Sequence, residues 1–220
     1  MKTLNFLTAF LLFGFCSCGQ EVEKQKVDPA AVQLNNQAMA LVAFINDPDS
    51  SKKAIFLLDQ ATAIDSNYFL GYYHKLMFYN AHEQFEKAFS IVNRLIRLRP
   101  GAHDLYQMGG ILKEKMGDTI ASRPYFENSL AICNKVLDTM KTTNQDYVML
   151  VCNKAINLIF LGNQAGGNQL LKRLFDTQTE ELYKEWIVSL MNKNKKQLLE
   201  FLFDSQYAQS EASVEVDTPD

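Results

Sequence analysis

A 34-residue period constrains this chain more than any other feature. Ala54, Ala88 and Ser122 are small residues spaced 34 apart; Leu58, Val92 and Phe126 repeat at the same interval, as do Ile64, Leu98 and Ile132. The clearest copy is Phe85–Pro100, in which a small residue, Ala88, precedes apolar residues at helical spacing and a helix-stopping proline. A period of this length with helical hydrophobicity describes a repeated helical hairpin, each copy burying its apolar face against its neighbours. With 5 Pro and 10 Gly in 220 residues, long helices are permitted, and a 47% hydrophobic content supplies a core. The net charge of −3 gives no basic face for nucleic acid.

Read in order, the first hairpin begins near Pro29, carries Ala38, Leu41, Val42 and Ile45 on one stripe, and breaks at Asp47-Pro48-Asp49. Ser51–Ile64 returns, with Ile55, Leu58 and Ala61 inward. The second hairpin starts at Asn67, a suitable N-cap, and returns through Phe85–Leu98. The third runs from Tyr106 through Gly110 to the Gly117-Asp118 turn. Its return helix contains Pro124, so a kink or a start near Ser122 is expected, since proline costs about 3 kcal/mol in a helix interior. A fourth, degenerate hairpin pairs Asp146–Leu161 with Asn168–Phe175, and Gly167 takes the small-residue position 45 after Ser122. Two further helices, Glu180–Met191 capped by Thr179 and Lys195–Phe203, are expected to cap the stack.

These residues resemble the tetratricopeptide repeat (TPR). Tyr72, Leu76 and Tyr79, then Tyr106, Gly110 and Gly117-Asp118, stand where TPR units place an aromatic, a small or apolar residue and a turn. The resemblance covers about residues 35–175. It implies an all-α TPR-like helical-hairpin solenoid with C-terminal capping helices. It also implies a groove lined by the first helix of each hairpin: Met39, Ala43, Tyr73, Met77, Asn80, Gln107, Ile111 and Glu114. The Lys/Arg/Asn set by which some TPR domains clamp a carboxylate is missing from these positions. Methionine suits adaptable peptide contacts, so a protein or peptide partner is expected. The alternative is that the chain's own segments fill the groove.

Residues 1–18 are a separate object. Lys2 precedes the mostly apolar run Leu4–Phe15, too short to span a bilayer and suited to a secretory signal. The run ends in Phe15-Cys16-Ser17-Cys18-Gly19, which resembles the lipobox of bacterial lipoproteins, with Cys18 as the acylated residue. An ordinary cleaved signal peptide is the alternative. Gly19 in place of Asp is similar to Gram-negative lipoproteins sent to the outer membrane, and Glu21 and Glu23 resemble the acidic stretch of surface-exposed ones. The expected organisation is therefore a signal peptide over 1–18, a tether over 19–29 and repeats over 30–176. Capping helices follow over 177–204 and a disordered acidic tail over 205–220.

No constellation for catalysis, metal or cofactor emerges from the sequence. His74, His82 and His103 lack ligand spacing, and the Gly162–Gly167 stretch has neither a preceding strand nor a following Lys-Ser/Thr. Cys133 and Cys152 fall at matching heights about a turn near Thr142-Thr143, which allows a disulfide in an oxidising compartment if both face inward; two buried unpaired cysteines are the alternative. The leading functional expectation is a lipid-anchored, non-enzymatic envelope adaptor. Its rivals are an immunity or inhibitor lipoprotein and a glycan- or small-molecule-capturing one, although Tyr72, Tyr73, Tyr79 and Trp186 declare no sugar platform.

Overall fold

A computed structural model describes residues 27–143 and 146–212, with side chains placed as far as Phe203. The expected signal sequence with Cys18, most of the expected tether and residues 213–220 lie outside the described residues. Among those described there are ten α-helices and no strand. The helices are α1 Pro29–Met39, α2 Pro48–Ile64, α3 Phe69–Ala81, α4 Phe85–Leu98, α5 His103–Lys115, α6 Thr119–Leu137, α7 Tyr147–Phe160, α8 Gln164–Thr177, α9 Glu181–Leu190 and α10 Lys195–Ala212. Successive helices pair as antiparallel hairpins, and the backbone separates into two compact units, residues 27–100 and 101–203 among those with placed side chains.

In the first unit, helix starts follow local chemistry. Asp28 and Asp47 each accept a hydrogen bond from a first-turn amide, Ala30 N at 2.8 Å and Ser50 N at 2.8 Å, and a proline follows each cap. The stripe expected through Ile45 does not continue as α-helix. After Met39 the chain tightens into a 3₁₀ turn, Val42–Phe44, which turns Ile45 into the core and leaves Phe44 60% exposed. Ser51 Oγ donates to Ile45 O at 2.6 Å and the His82 ring meets the same carbonyl at 2.9 Å, so α2 and the end of α3 both hold the C-terminal end of the turn. Asn67 is not the N-cap of α3. Tyr68 holds that position, while Asn67 N donates to Asp65 Oδ1 at 2.9 Å in a local turn.

In the second unit α6 begins at Thr119, capped by Asp118 Oδ1 on Ala121 N at 3.0 Å, so Pro124 lies inside the helix and not before it. The acceptor that Pro124 leaves unbonded is the carbonyl of Ile120, a residue 87% exposed, where water can take the proline's place. α7 is the central helix, buried over most of its circumference, and Phe160 on it stacks on Phe126 at 4.5 Å with the rings 7° apart. The close approaches expected of two glycines are present. A Cβ on Gly110 would lie 2.7 Å from the Phe126 ring, and one on Gly167 would lie 2.6 Å from Ile159 Cγ1 and 2.9 Å from Ala155 O. α9 starts at Glu181 with Glu180, not Thr179, as its cap. α10 runs past the expected end at Phe203 to Ala212, so the tail assigned to 205–220 begins with helix.

The period itself is written into the packing. Ala54, Ala88 and Ser122 are buried, as are Leu58, Val92 and Phe126. The third row behaves differently: Ile64 is 48% exposed because it closes α2 at the rim of the hairpin.

Candidate functional site

Each unit carries part of the expected groove set, and the two units differ in what covers it. In the first unit Tyr73, Met77 and Asn80 follow at i, i+4 and i+7 along one face of α3. All three are half-buried, as are Met39 and Ala43. Met39 and Met77 pack on the cluster of Ala38, Ile45, Ala54, Leu58 and Phe78, which fixes their stems. Tyr73 lies 6.1 Å from the Phe69 ring and meets His74 edge-on. His74 Nδ1 is 2.7 Å from Asn35 Oδ1, joining α3 to α1, and burial holds its pKa below the ordinary imidazole range. Asn80 Oδ1 is buried without a hydrogen-bond partner. An acceptor left in that state is uncommon enough to require an account.

The second unit does not present Gln107, Ile111 and Glu114 as an open lining. All three are buried. Gln107 Nε2 donates to Asn153 O and to Asn157 Oδ1, each at 3.0 Å, and Asn157 Nδ2 donates onward to Ser129 Oγ at 2.8 Å. Glu114 Oε1 accepts from Ser122 Oγ and from Lys195 Nζ, the latter at 2.8 Å. The amide of Gln107 is consumed by α7, and the Glu114 carboxylate by α6 and the first residue of α10. The expected groove is thus filled here by the chain's own helices.

Cys133 and Cys152 are free and buried, which corrects the disulfide expectation. Their heights match but their faces do not. Cys133 clusters with Leu150, and Leu150 and Cys152, two apart on a helix, point in different directions. Cys152 shares its stripe with Ala155 and Ile159, the residues packed on Gly167 of α8. Burial pushes both thiols up to about 12, which removes the thiolate that nucleophilic chemistry would need at neutral pH. His103 Nδ1 is buried without a partner and burial holds its pKa low, although Asp104 opposes that shift. Among the described residues no group of three His, Cys, Asp or Glu side chains is placed to hold a metal ion.

The aromatic residues weighed as a sugar platform have intramolecular partners. Tyr72 lies under Lys75 at 5.3 Å and Arg94 at 5.4 Å, Tyr79 under Lys87 at 5.6 Å, and Trp186 packs on Phe201 at 5.8 Å. Lys75 is a buried residue that the sequence pattern does not single out. Its ammonium is satisfied by Asp59 at 2.6 Å and Thr62 Oγ1 at 3.1 Å, linking α3 to α2. Only the i, i+3 spacing of the polar Asp59 and Thr62 on α2 could have hinted at it.

No protein-family model matches the chain, and no curated protein matches it. Solved structures do. A structure described as a Podosopora anserina kinesin light chain with nearly identical TPR-like repeats aligns at TM-score 0.52 and 14% identity, over 86% of this chain and 100% of the other. A variant of that protein aligns with the same figures. YrrB, described as a TPR protein with an unusual peptide-binding site, aligns at TM-score 0.48 and 16% identity, over 89% of this chain and 96% of its own. The fold is all-α, of the TPR-like helical-hairpin kind.

Proposed function

We propose that the protein is an interaction module that holds a protein or peptide partner on the α3 face of its first unit. The carrying observation is Asn80 Oδ1, a buried acceptor without a donor, on the same face as the half-buried Met77 and Tyr73. An outward turn of the half-buried Asn80 side chain would offer that oxygen to a partner's amide, and the flanking methionines supply adaptable apolar contact. Ile111 and Glu114 do not belong to this surface, and neither does Gln107. The lipid anchor at Cys18, in the outer membrane of a Gram-negative envelope, is part of the same reading and rests on the lipobox-like sequence and its apolar leader.

Two experiments test the reading. A partner captured from the native envelope is expected to bind the wild-type protein and to be lost from a folded Tyr73→Ala/Met77→Asp variant; equal binding by both would remove α3 from the site. Palmitate labelling is expected to disappear in Cys18→Ala, and unchanged labelling would sink the anchor.

A further inference from the structure

One end of the first unit brings together an entry point for the chain, exposed aliphatic side chains and a run of guanidiniums. The described chain enters there: Val27 packs with Val32 and Leu34 on the cluster of Ala31, Ala61 and Tyr68, beside the last turn of α2. The same end carries Ile64, the last residue of α2 and 48% exposed, and Leu70, in the first turn of α3 and 39% exposed. The C-terminal half of α4 closes the group. Arg94 Nη2 donates to Ser66 O at 2.5 Å, in the turn between α2 and α3, and the Arg99 guanidinium lies 3.7 Å over the Phe69 ring. Arg97 and Arg99 are exposed. Between Glu86 and Asp104 the sequence holds Lys87, Arg94, Arg97 and Arg99 and no carboxylate. Asp28 and Asp65 also lie at this end, where they accept backbone amides from Ala30 at 2.8 Å and Asn67 at 2.9 Å. Three guanidiniums outnumber them.

Aliphatic side chains beside guanidiniums suit a surface that lies on anionic phospholipid, where the aliphatic groups enter the headgroup boundary and each cation is drawn to phosphate. Chain length supplies a second argument. In the lipid-anchored reading, residues 19–26 separate Cys18 from Val27. Such a segment spans at most ~30 Å when extended and about 16 Å as a coil. Its own charges cancel in sequence, Glu21 and Glu23 against Lys24 and Lys26, so attraction to lipid must come from the folded end. A weak surface tethered that close to its target binds as though the target were at roughly millimolar concentration. We propose that this end of the first unit is a membrane-contact face for anionic phospholipid, seated with Ile64, Leu70 and Arg97 at the headgroups. The inference rests on the lipid-anchor reading for the nearness of the bilayer, and goes beyond it by assigning which end of the unit faces lipid. Asn80 lies about 15 Å along α3 from Leu70, so the proposed partner surface stays clear of the bilayer.

The probe is an NBD fluorophore on Leu70→Cys, in the full chain with Cys16 and Cys18 replaced by serine so that no acyl chain takes part. The buried Cys133 and Cys152 stay unlabelled. With phosphatidylcholine vesicles containing about 30% phosphatidylglycerol, its emission is expected to rise about threefold and shift to the blue. Ile64→Cys should report likewise. Pure phosphatidylcholine should leave the emission unchanged, and so should either vesicle for the same fluorophore on Val188→Cys, an exposed position of the second unit. Arg97→Glu should raise the lipid concentration needed by at least about fivefold. Should that variant fail to fold, salt tests the same point, because about 0.5 M NaCl should abolish the response of the parent chain. A silent position 70, an equal response to pure phosphatidylcholine or at position 188, or a response untouched by both Arg97→Glu and salt overturns the proposal. A rise with soluble polyglutamate as large as with vesicles overturns it too, and assigns the face to an acidic polypeptide. Palmitate labelling of the wild-type chain reads the anchor alone. Labelled protein with a silent position 70 sinks the membrane face and keeps the anchor; a responsive position 70 without labelling keeps the face and sinks the anchor.

Discussion

Tyr73, Met77 and Asn80 on α3 have counterparts exactly one period later in Gln107, Ile111 and Glu114 on α5, each 34 residues on. Repeat position would give the two sets the same environment, yet the first is half-buried and the second buried. The clearest pair is the last. Asn80 Oδ1 has no donor, whereas Glu114 Oε1 has two, one of them from α10. A repeat fixes which way a side chain points; what it meets depends also on helices beyond its own hairpin, α7 for Gln107 and α10 for Glu114.

If the groove positions of the second unit are filled from within, its core should be the more sensitive to loss. Phe126→Ala removes a buried ring stacked on Phe160 and covered by Gly110, and should cost about 3–5 kcal/mol in denaturant unfolding. A cost below about 1 kcal/mol would mean that the unit tolerates voids and is not the tightly filled body described. Next comes the charge at Glu114. Lys195→Ala leaves that buried carboxylate with Ser122 alone and should cost roughly 1–3 kcal/mol, less than for a fully buried pair because Lys195 is itself 38% exposed. Glu114→Gln in the same background should return part of the loss. If it does not, burial of the charge is not what Lys195 offsets.

Buried thiols should add an alkaline response in the second unit, while a buried histidine, His74 in the first unit and His103 in the second, gives both an acid response. Both described cysteines lie in the second unit, with thiols raised from an ordinary value of 9.0 to about 12 by burial. The protonated thiols therefore contribute stability that is full below about pH 9 and lost as pH rises towards 12. In the first unit, His74 is held neutral, its pKa lowered by burial, so its contribution is present above about pH 6.5 and lost as pH falls through its depressed value. Unfolding followed by Trp186 fluorescence, the only tryptophan and a residue of the second unit, should weaken in alkali; Cys133→Ala/Cys152→Ala should remove that slope. The smallest effect sharpens the comparison most. Asn80→Ala deletes an acceptor that has no donor and should change stability by no more than about 0.5 kcal/mol. A loss above about 1 kcal/mol would show that the oxygen has a partner within the chain.

Much of this fold was legible from the sequence because the informative signals are local or periodic. The small residues Ala54, Ala88 and Ser122 and the glycine at Gly110, against Phe126, each report on a neighbour one helix away, whereas the cap at Asp47 reads in the sequence as a break. Pro124 misled because its cost depends on whether the orphaned Ile120 carbonyl reaches water, which composition does not reveal. The cysteines stayed open between a bridge and two buried thiols because equal distance from a turn sets height and not face. The fate of the groove positions was the least legible. Gln107 finds its partners 46 and 50 residues away, and Glu114 finds Lys195 on a helix outside the period. Nothing in a repeat pattern ranks such distant donors.

The contrast between the two faces can be measured directly by thiol accessibility. In a chain with Cys16 and Cys18 replaced by serine, Met77→Cys and Ile111→Cys would be alkylated separately under native conditions, with the inert Cys133 and Cys152 as internal references. The account predicts that the thiol at position 77 reacts at least tenfold faster than the one at position 111. Equal rates in two folded variants would contradict it, because the α3 and α5 faces would then be equally open or equally closed.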